Sequence, residues 1–129
     1  MKAVLIVAGG GALGAATRYL VYVAAGHLLG AGFPFGTLIV NVVGSFAMGA
    51  LTEVMALVWS ASSEARLFLA VGFLGAFTTF STFSLDFAVL YERGRFLLCA
   101  VYVTLSMVLS IAALFAGLWL FRRLLAPVI

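Results

Sequence analysis

Between Leu67 and Leu90 the chain is apolar over roughly the length needed to cross a bilayer, yet its middle suits a continuous helix poorly. Gly72–Phe83 reads Gly-Phe-Leu-Gly-Ala-Phe-Thr-Thr-Phe-Ser-Thr-Phe, with two glycines, three threonines and a serine in twelve positions. Each glycine costs about 1 kcal/mol relative to alanine inside a helix. In hydrocarbon, an interrupted backbone ladder survives only where protein or a water-filled cavity satisfies the freed N–H and C=O groups. Two readings follow. Broken membrane helices mark ion or substrate sites, with helix N-termini offered to anions and freed carbonyls to cations. A kinked helix packed on a neighbour through its glycines is the other.

The remainder of the chain is as lipid-like as this stretch. Of its 129 residues 66% are hydrophobic and 9% charged, against about 25% charged in a soluble domain. We therefore expect one all-α transmembrane domain over residues 1–129, with spans at about 3–25, 35–59, 67–90 and 96–121 and the third broken mid-span. Lys2 followed by an apolar run resembles a signal peptide, but the run is long and further spans follow, so it reads as a retained first span. The net charge of +3 comes from few residues and implies no nucleic-acid partner. Cys99, the sole cysteine, allows neither an intrachain disulfide nor a cysteine cluster.

Polar residues recur on single helix faces. Gly10, Gly14 and Arg18 are spaced four apart, so a neighbouring helix can approach the glycines closely while Arg18 lies at the edge of that contact. A charge so near a membrane span faces the protein or snorkels to the interface. Arg18 orients the helix, pairs with an acid or attracts anions to a vestibule, a structural and vestibule role being favoured over direct ion binding. Thr37, Asn41 and Ser45 form a second stripe. Asn41 is an interhelical hydrogen bond or part of a polar pathway, since its amide both donates and accepts. Tyr102, Ser106 and Ser110 make a hydroxyl ladder on the fourth span. Such hydroxyls often bond back to their own helix, but three in register opposite the Asn41 stripe read as a track. Phe80 and Phe83 share a face; they are packing residues, or their positive ring edges meet an anion.

Four spans put Lys2, Arg66, Arg122 and Arg123 on one side and Arg18, Arg93 and Arg95 on the other. Orientation follows Lys/Arg asymmetry, so four against three permits insertion both ways and antiparallel pairing of two copies, a geometry like that of inverted repeats.

Gly10–Tyr19 (Gly-Gly-Ala-Leu-Gly-Ala-Ala-Thr-Arg-Tyr), Gly36–Phe46 (Gly-Thr-Leu-Ile-Val-Asn-Val-Val-Gly-Ser-Phe) and Gly72–Ser84 together resemble the Fluc (CrcB) fluoride channels across essentially the whole chain. The resemblance implies a dual-topology homodimer in the bacterial inner membrane that exports fluoride passively through two antiparallel pores. It implies a structural Na⁺ at the two-fold axis, held by the backbone carbonyls of Gly75 and Thr78 from both subunits. Asn41, Phe80 and Phe83 fall on the pore-lining amide and the anion-contacting rings. Ser81, Thr82, Tyr102, Ser106 and Ser110 fall on the polar track, and Arg18 on the motif arginine near the vestibule; Thr37 is assigned there too. Ala76 replaces a frequent glycine, and Asp86 a common glutamate.

The chemistry agrees with the bare residues. Fluoride is small and strongly hydrated, so a pore must replace water with dense donors yet still release the ion; that argues against a pore lysine or arginine, and none is expected at the midplane. A small dual-topology proton-coupled exporter would share the size and charge balance but needs a membrane-embedded carboxylate. The first span has no acid, and Glu53 and Asp86 lie toward span ends. An assembly subunit would explain the glycine stripes but not the hydroxyl tracks. Enzyme chemistry lacks a metal cluster or a nucleophile beside a base.

Overall fold

A computed structural model describes residues 1–126, and among them there is no strand. Helix α1 (Lys2–Leu29) ends at Gly30, whose φ of 79° suits glycine, and α2 (Phe35–Leu57) starts behind Pro34. The third span begins with α3 (Ser63–Arg66), where Ser62 accepts the Ala65 N–H at 3.1 Å as an N-cap. It continues through a π-helical segment (Leu67–Leu74) into α4 (Gly75–Phe77), and resumes as α5 (Ser81–Glu92). Gly94, with φ 70°, turns the chain into α6 (Phe96–Leu125). Four helical stretches, the third of them Ser63–Glu92, are long and apolar enough to cross a membrane. This is a multi-pass membrane protein.

The helices pack through glycines. A Cβ at Gly10 would collide with the carbonyl oxygen of Phe68, and one at Gly14 with that of Phe73. Conversely, a Cβ on Gly72 would lie 2.8 Å from the Val7 carbonyl oxygen. So α1 and the first half of the third span meet backbone to backbone, the close approach that small residues at four-residue spacing allow. The α2–α6 contact uses the same device: a Cβ at Gly49 would meet the Leu114 carbonyl, and one at Gly117 the Phe46 carbonyl. The interior is correspondingly small, with Val40, Leu74, Phe77, Leu90 and Tyr102 buried. Large apolar side chains such as Leu5, Leu13, Val108, Ile111 and Phe115 face outward, as lipid-solvated helices require.

At one end of the bundle Arg122 Nε donates to the buried Glu53 carboxylate at 3.1 Å, tying α6 to α2, and Lys2 pairs with Glu64. His27 is exposed in the last turn of α1. Cys99 is buried, its Sγ 3.8 Å from the Phe87 carbonyl oxygen.

Candidate functional site

The third span breaks at Thr78–Phe80, at the threonines and not at the glycines that first draw attention. Gly72 and Gly75 remain inside helical backbone; Gly72 allows the close approach of α1, whereas Gly75 is exposed and a Cβ there would meet only the Ala70 carbonyl oxygen at 3.7 Å. Thr78 turns extended (φ −84°, ψ 160°), which ends the ladder. Several of the groups this frees find side-chain partners. Asn41 holds the Thr79 peptide by both edges: its Oδ1 accepts the Thr79 N–H at 2.8 Å, and its Nδ2 donates to the Thr79 carbonyl at 2.9 Å. Thr79 Oγ1 accepts the Thr82 N–H at 3.2 Å and so caps α5 three residues on. The Thr78 hydroxyl donates back to the Leu74 carbonyl at 2.9 Å. In an unbroken helix the Thr79 N–H would reach the Gly75 carbonyl; its turn toward Asn41 leaves that carbonyl without its helical donor.

Arg18 lies at the edge of the α1 glycine contact and faces the protein. Its guanidinium lies against the break, Nη1 donating to the Thr78 carbonyl at 3.3 Å. Gly10 and Gly14 draw α1 against the third span, and Arg18 one turn further along then meets a freed carbonyl in surroundings that offer little else to bond.

Two hollows flank the break. The first, a groove of about 450 Å³, is lined by Asn41, Gly75, Thr78, Phe80, Phe83, Ser106 and Ser110 together with Ser45, Met48 and Met107. No ionisable side chain lines it. The Phe80 and Phe83 ring centroids are 5.5 Å apart, and Phe80 is 74% exposed, so the groove lies open along one side. The hydroxyls of Ser106 and Ser110 are buried and make no hydrogen bond among the described residues; neither bonds back to its own helix. Asn41 also keeps the second N–H of its amide beyond the one given to Thr79.

The second hollow, about 500 Å³, lies toward the α1–α2 and α5–α6 turns and is lined by Tyr22, Thr37, Thr82, Asp86, Arg93 and Arg95 among apolar neighbours. Thr37 donates to Asp86 Oδ2 at 2.6 Å, and Tyr102 donates to the same oxygen at 2.9 Å. The Tyr22 hydroxyl stands 3.4 Å from that of Thr37.

The predicted hydroxyl ladder thus divides. Ser106 and Ser110 line the groove, whereas Tyr102 is fully buried between the rings of Phe33 and Phe83, its hydroxyl engaged by Asp86. Thr82 lines the second hollow, and Ser81 is exposed, its Oγ 3.4 Å from Thr79 Oγ1. Thr37 is buried beside Asp86. Two contributors escaped the sequence reading. Thr79 could have been found as a hydroxyl placed three residues before Thr82 to accept an N–H of the first turn of α5, and Tyr22 as the next member of the Gly10–Gly14–Arg18 stripe.

A family profile described as "CrcB-like protein, Camphor Resistance (CrcB)" matches residues 5–118 of the chain. A Rhodospirillum centenum protein named "Fluoride-specific ion channel FluC" is 55% identical over 126 residues, 98% of this chain and 100% of that protein. A Chelativorans protein of the same name is 56% identical over 125 residues, 97% of this chain and 100% of its own. One from Agrobacterium fabrum is 55% identical over 121 residues, 94% of this chain and 97% of that protein.

Proposed function

The chain belongs to the CrcB-like family, and from that premise we propose that it is a fluoride-specific ion channel of the bacterial inner membrane, not an enzyme. The observation that carries the reading is the pair of buried, unbonded hydroxyls of Ser106 and Ser110 in the groove beneath Asn41, Phe80 and Phe83. A buried hydroxyl without a partner is costly, about 1–3 kcal/mol, and a small anion is the partner that an O–H donor lacks. Fluoride gives up water only where donors are dense. The two serines, the second Asn41 N–H and the ring edges of Phe80 and Phe83 supply that density without a fixed positive charge. A neutral lining keeps binding weak enough for release. It also holds no carboxylate that would carry protons, so the flux is passive.

The open side of the groove supports assembly as a homodimer in lipid. Phe80 and Gly75 are exposed in the single chain, and a second copy set antiparallel would close over them. The break also fits a sodium ion at the two-fold axis, since a hard cation takes oxygen ligands. Gly75 and Thr78 of both copies would hold it. The Gly75 carbonyl has lost its helical donor, and the Thr78 carbonyl keeps a lone pair beside its Arg18 contact. Bound there, the cation would neutralise the freed carbonyls and fasten the two breaks to each other.

The test is efflux from liposomes of purified protein, read with fluoride- and chloride-selective electrodes. Fluoride efflux that requires a potassium ionophore for charge balance, with no chloride efflux, is expected. The Ser106→Ala/Ser110→Ala double variant should lose about tenfold or more in fluoride flux, on the order of one hydrogen bond's worth per serine, while eluting as the wild-type oligomer. Wild-type flux in that variant would remove the groove from the pathway.

A further inference from the structure

Four methionines occur in the chain, and two of them, Met48 and Met107, line the groove, whereas Met1 and Met55 line neither hollow. Met107, on α6, is 50% exposed, and Met48, on α2, is half-buried. Each stands three residues from a groove serine of its own helix, Met48 from Ser45 and Met107 from Ser110, so each pair shares a helix face.

Packing alone does not call for methionine here. Leucine would fill an apolar wall of similar volume with fewer rotatable bonds; the thioether adds a polarizable sulfur that is open to oxidation. The other side chains lining the groove are aliphatic, phenyl, hydroxyl or amide groups, and the sole cysteine, Cys99, is buried outside it. Two easily oxidised sulfurs therefore stand in the same groove as the hydroxyls of Ser106 and Ser110, which have no partner among the described residues.

We propose that Met48 and Met107 form an oxidation site whose modification by a peroxide closes the anion path. This rests on the channel reading above and adds to it a chemistry that the polar residues of the groove lack. A sulfur lone pair attacks one oxygen of hydrogen peroxide. An S–O bond forms as the O–O bond breaks, and after proton transfer one water leaves for each peroxide consumed. The sulfur gives up two electrons and the peroxide takes them. The product is methionine sulfoxide, a polar group in place of a flexible apolar one. The thioether is a weak acceptor; the sulfoxide oxygen is a strong one, and it takes the O–H groups that Ser106 and Ser110 otherwise hold for an anion. The negative end of the S–O dipole also faces any anion that enters. Hydrogen peroxide is neutral and little larger than water, so a groove wet enough to pass an anion admits it, with or without a second copy over Phe80.

Wild-type proteoliposomes are treated with hydrogen peroxide, and initial fluoride efflux is divided by that of the same preparation untreated. The expected ratio is about one tenth or less, the worth of one hydrogen bond to an ion. Mass spectrometry should show one added oxygen on the peptides that carry Met48 and Met107. Dithiothreitol, which reduces oxidised thiols but not sulfoxides, should leave the loss in place and so set Cys99 aside. Met48→Leu/Met107→Leu, divided by its own untreated flux, should keep most of it, while Met55→Leu should be as sensitive as wild type. An equal fractional loss in the double leucine variant overturns the proposal. So does full wild-type flux with both methionines oxidised, or oxygen found on Met1 and Met55 but on neither groove methionine. A wild type that passes no fluoride before treatment overturns this proposal together with the channel reading; the untreated flux and the treated ratio thus separate the two failures.

Discussion

Asn41 does two jobs with one side chain. Its amide matches the two edges of the Thr79 peptide, replacing the helical bonds that the break removes, and its remaining N–H is left for the groove. Asn41→Asp replaces the donor to the Thr79 carbonyl with a second oxygen, so two acceptors face each other. The expected cost is about 1–3 kcal/mol of stability, read as a lower melting temperature in detergent, together with lost fluoride flux. An unchanged melting temperature would mean that the clamp carries no weight. Phe80 and Phe83 are expected to behave differently. Phe80→Ile or Phe83→Ile retains apolar bulk but removes the ring edge, so fluoride flux should fall to background while the protein still elutes as the wild-type oligomer. Normal flux in both variants would return the rings to mere packing.

The helices owe their positions to glycine contacts more than to a large core. Gly14 illustrates this, because a Cβ there runs into the Phe73 backbone, which cannot swing aside as a flexible side chain does. Gly14→Ala should destabilise the protein by about 1–3 kcal/mol through overpacking. Gly26, on the same helix, has open space where a methyl group would go, and Gly26→Ala should be neutral or stabilising by up to about 1 kcal/mol. Thermal unfolding of the two variants in one detergent separates close packing from helix propensity: equal shifts would contradict the backbone-to-backbone contact. Because Arg18 sits one turn beyond Gly14, displacing α1 would also take its guanidinium away from the Thr78 carbonyl.

For the whole molecule, the charge balance across the membrane is close to even. Lys2, Arg66, Arg122 and Arg123 stand against Arg18, Arg93 and Arg95, four to three, although Lys2 and Arg122 are each paired with an acid. A modest bias of this kind should be easy to override. Two added arginines in the α5–α6 turn should shift insertion toward one orientation, and two in the Ser60–Glu64 loop toward the other. If an antiparallel dimer is the conducting form, each variant alone should lose flux and the two expressed together should regain it. Full activity of each variant alone would argue for parallel copies or for a single chain.

The sequence alone was enough to read four apolar helices, an interrupted third span and five residues that line the groove, but it also grouped Ser81, Thr82 and Tyr102 with them, which do not line it. Span length, hydropathy and four-residue spacing are local properties, and they place Asn41, Phe80, Phe83, Ser106 and Ser110 on faces before any packing is known. The pattern could not tell which hydroxyls remain unbonded. Tyr102 and Ser106 share one stripe, but Asp86 from another helix engages the first and nothing among the described residues engages the second. The point of the break, the reach of Arg18 and the bond partner of Asn41 likewise depend on which freed backbone group lies within about 3 Å of which side chain. Those distances are set by the crossing of α1, α2 and the third span. Only the tertiary structure decides them, because each bond joins residues far apart in the chain across a contact that glycines permit but do not specify.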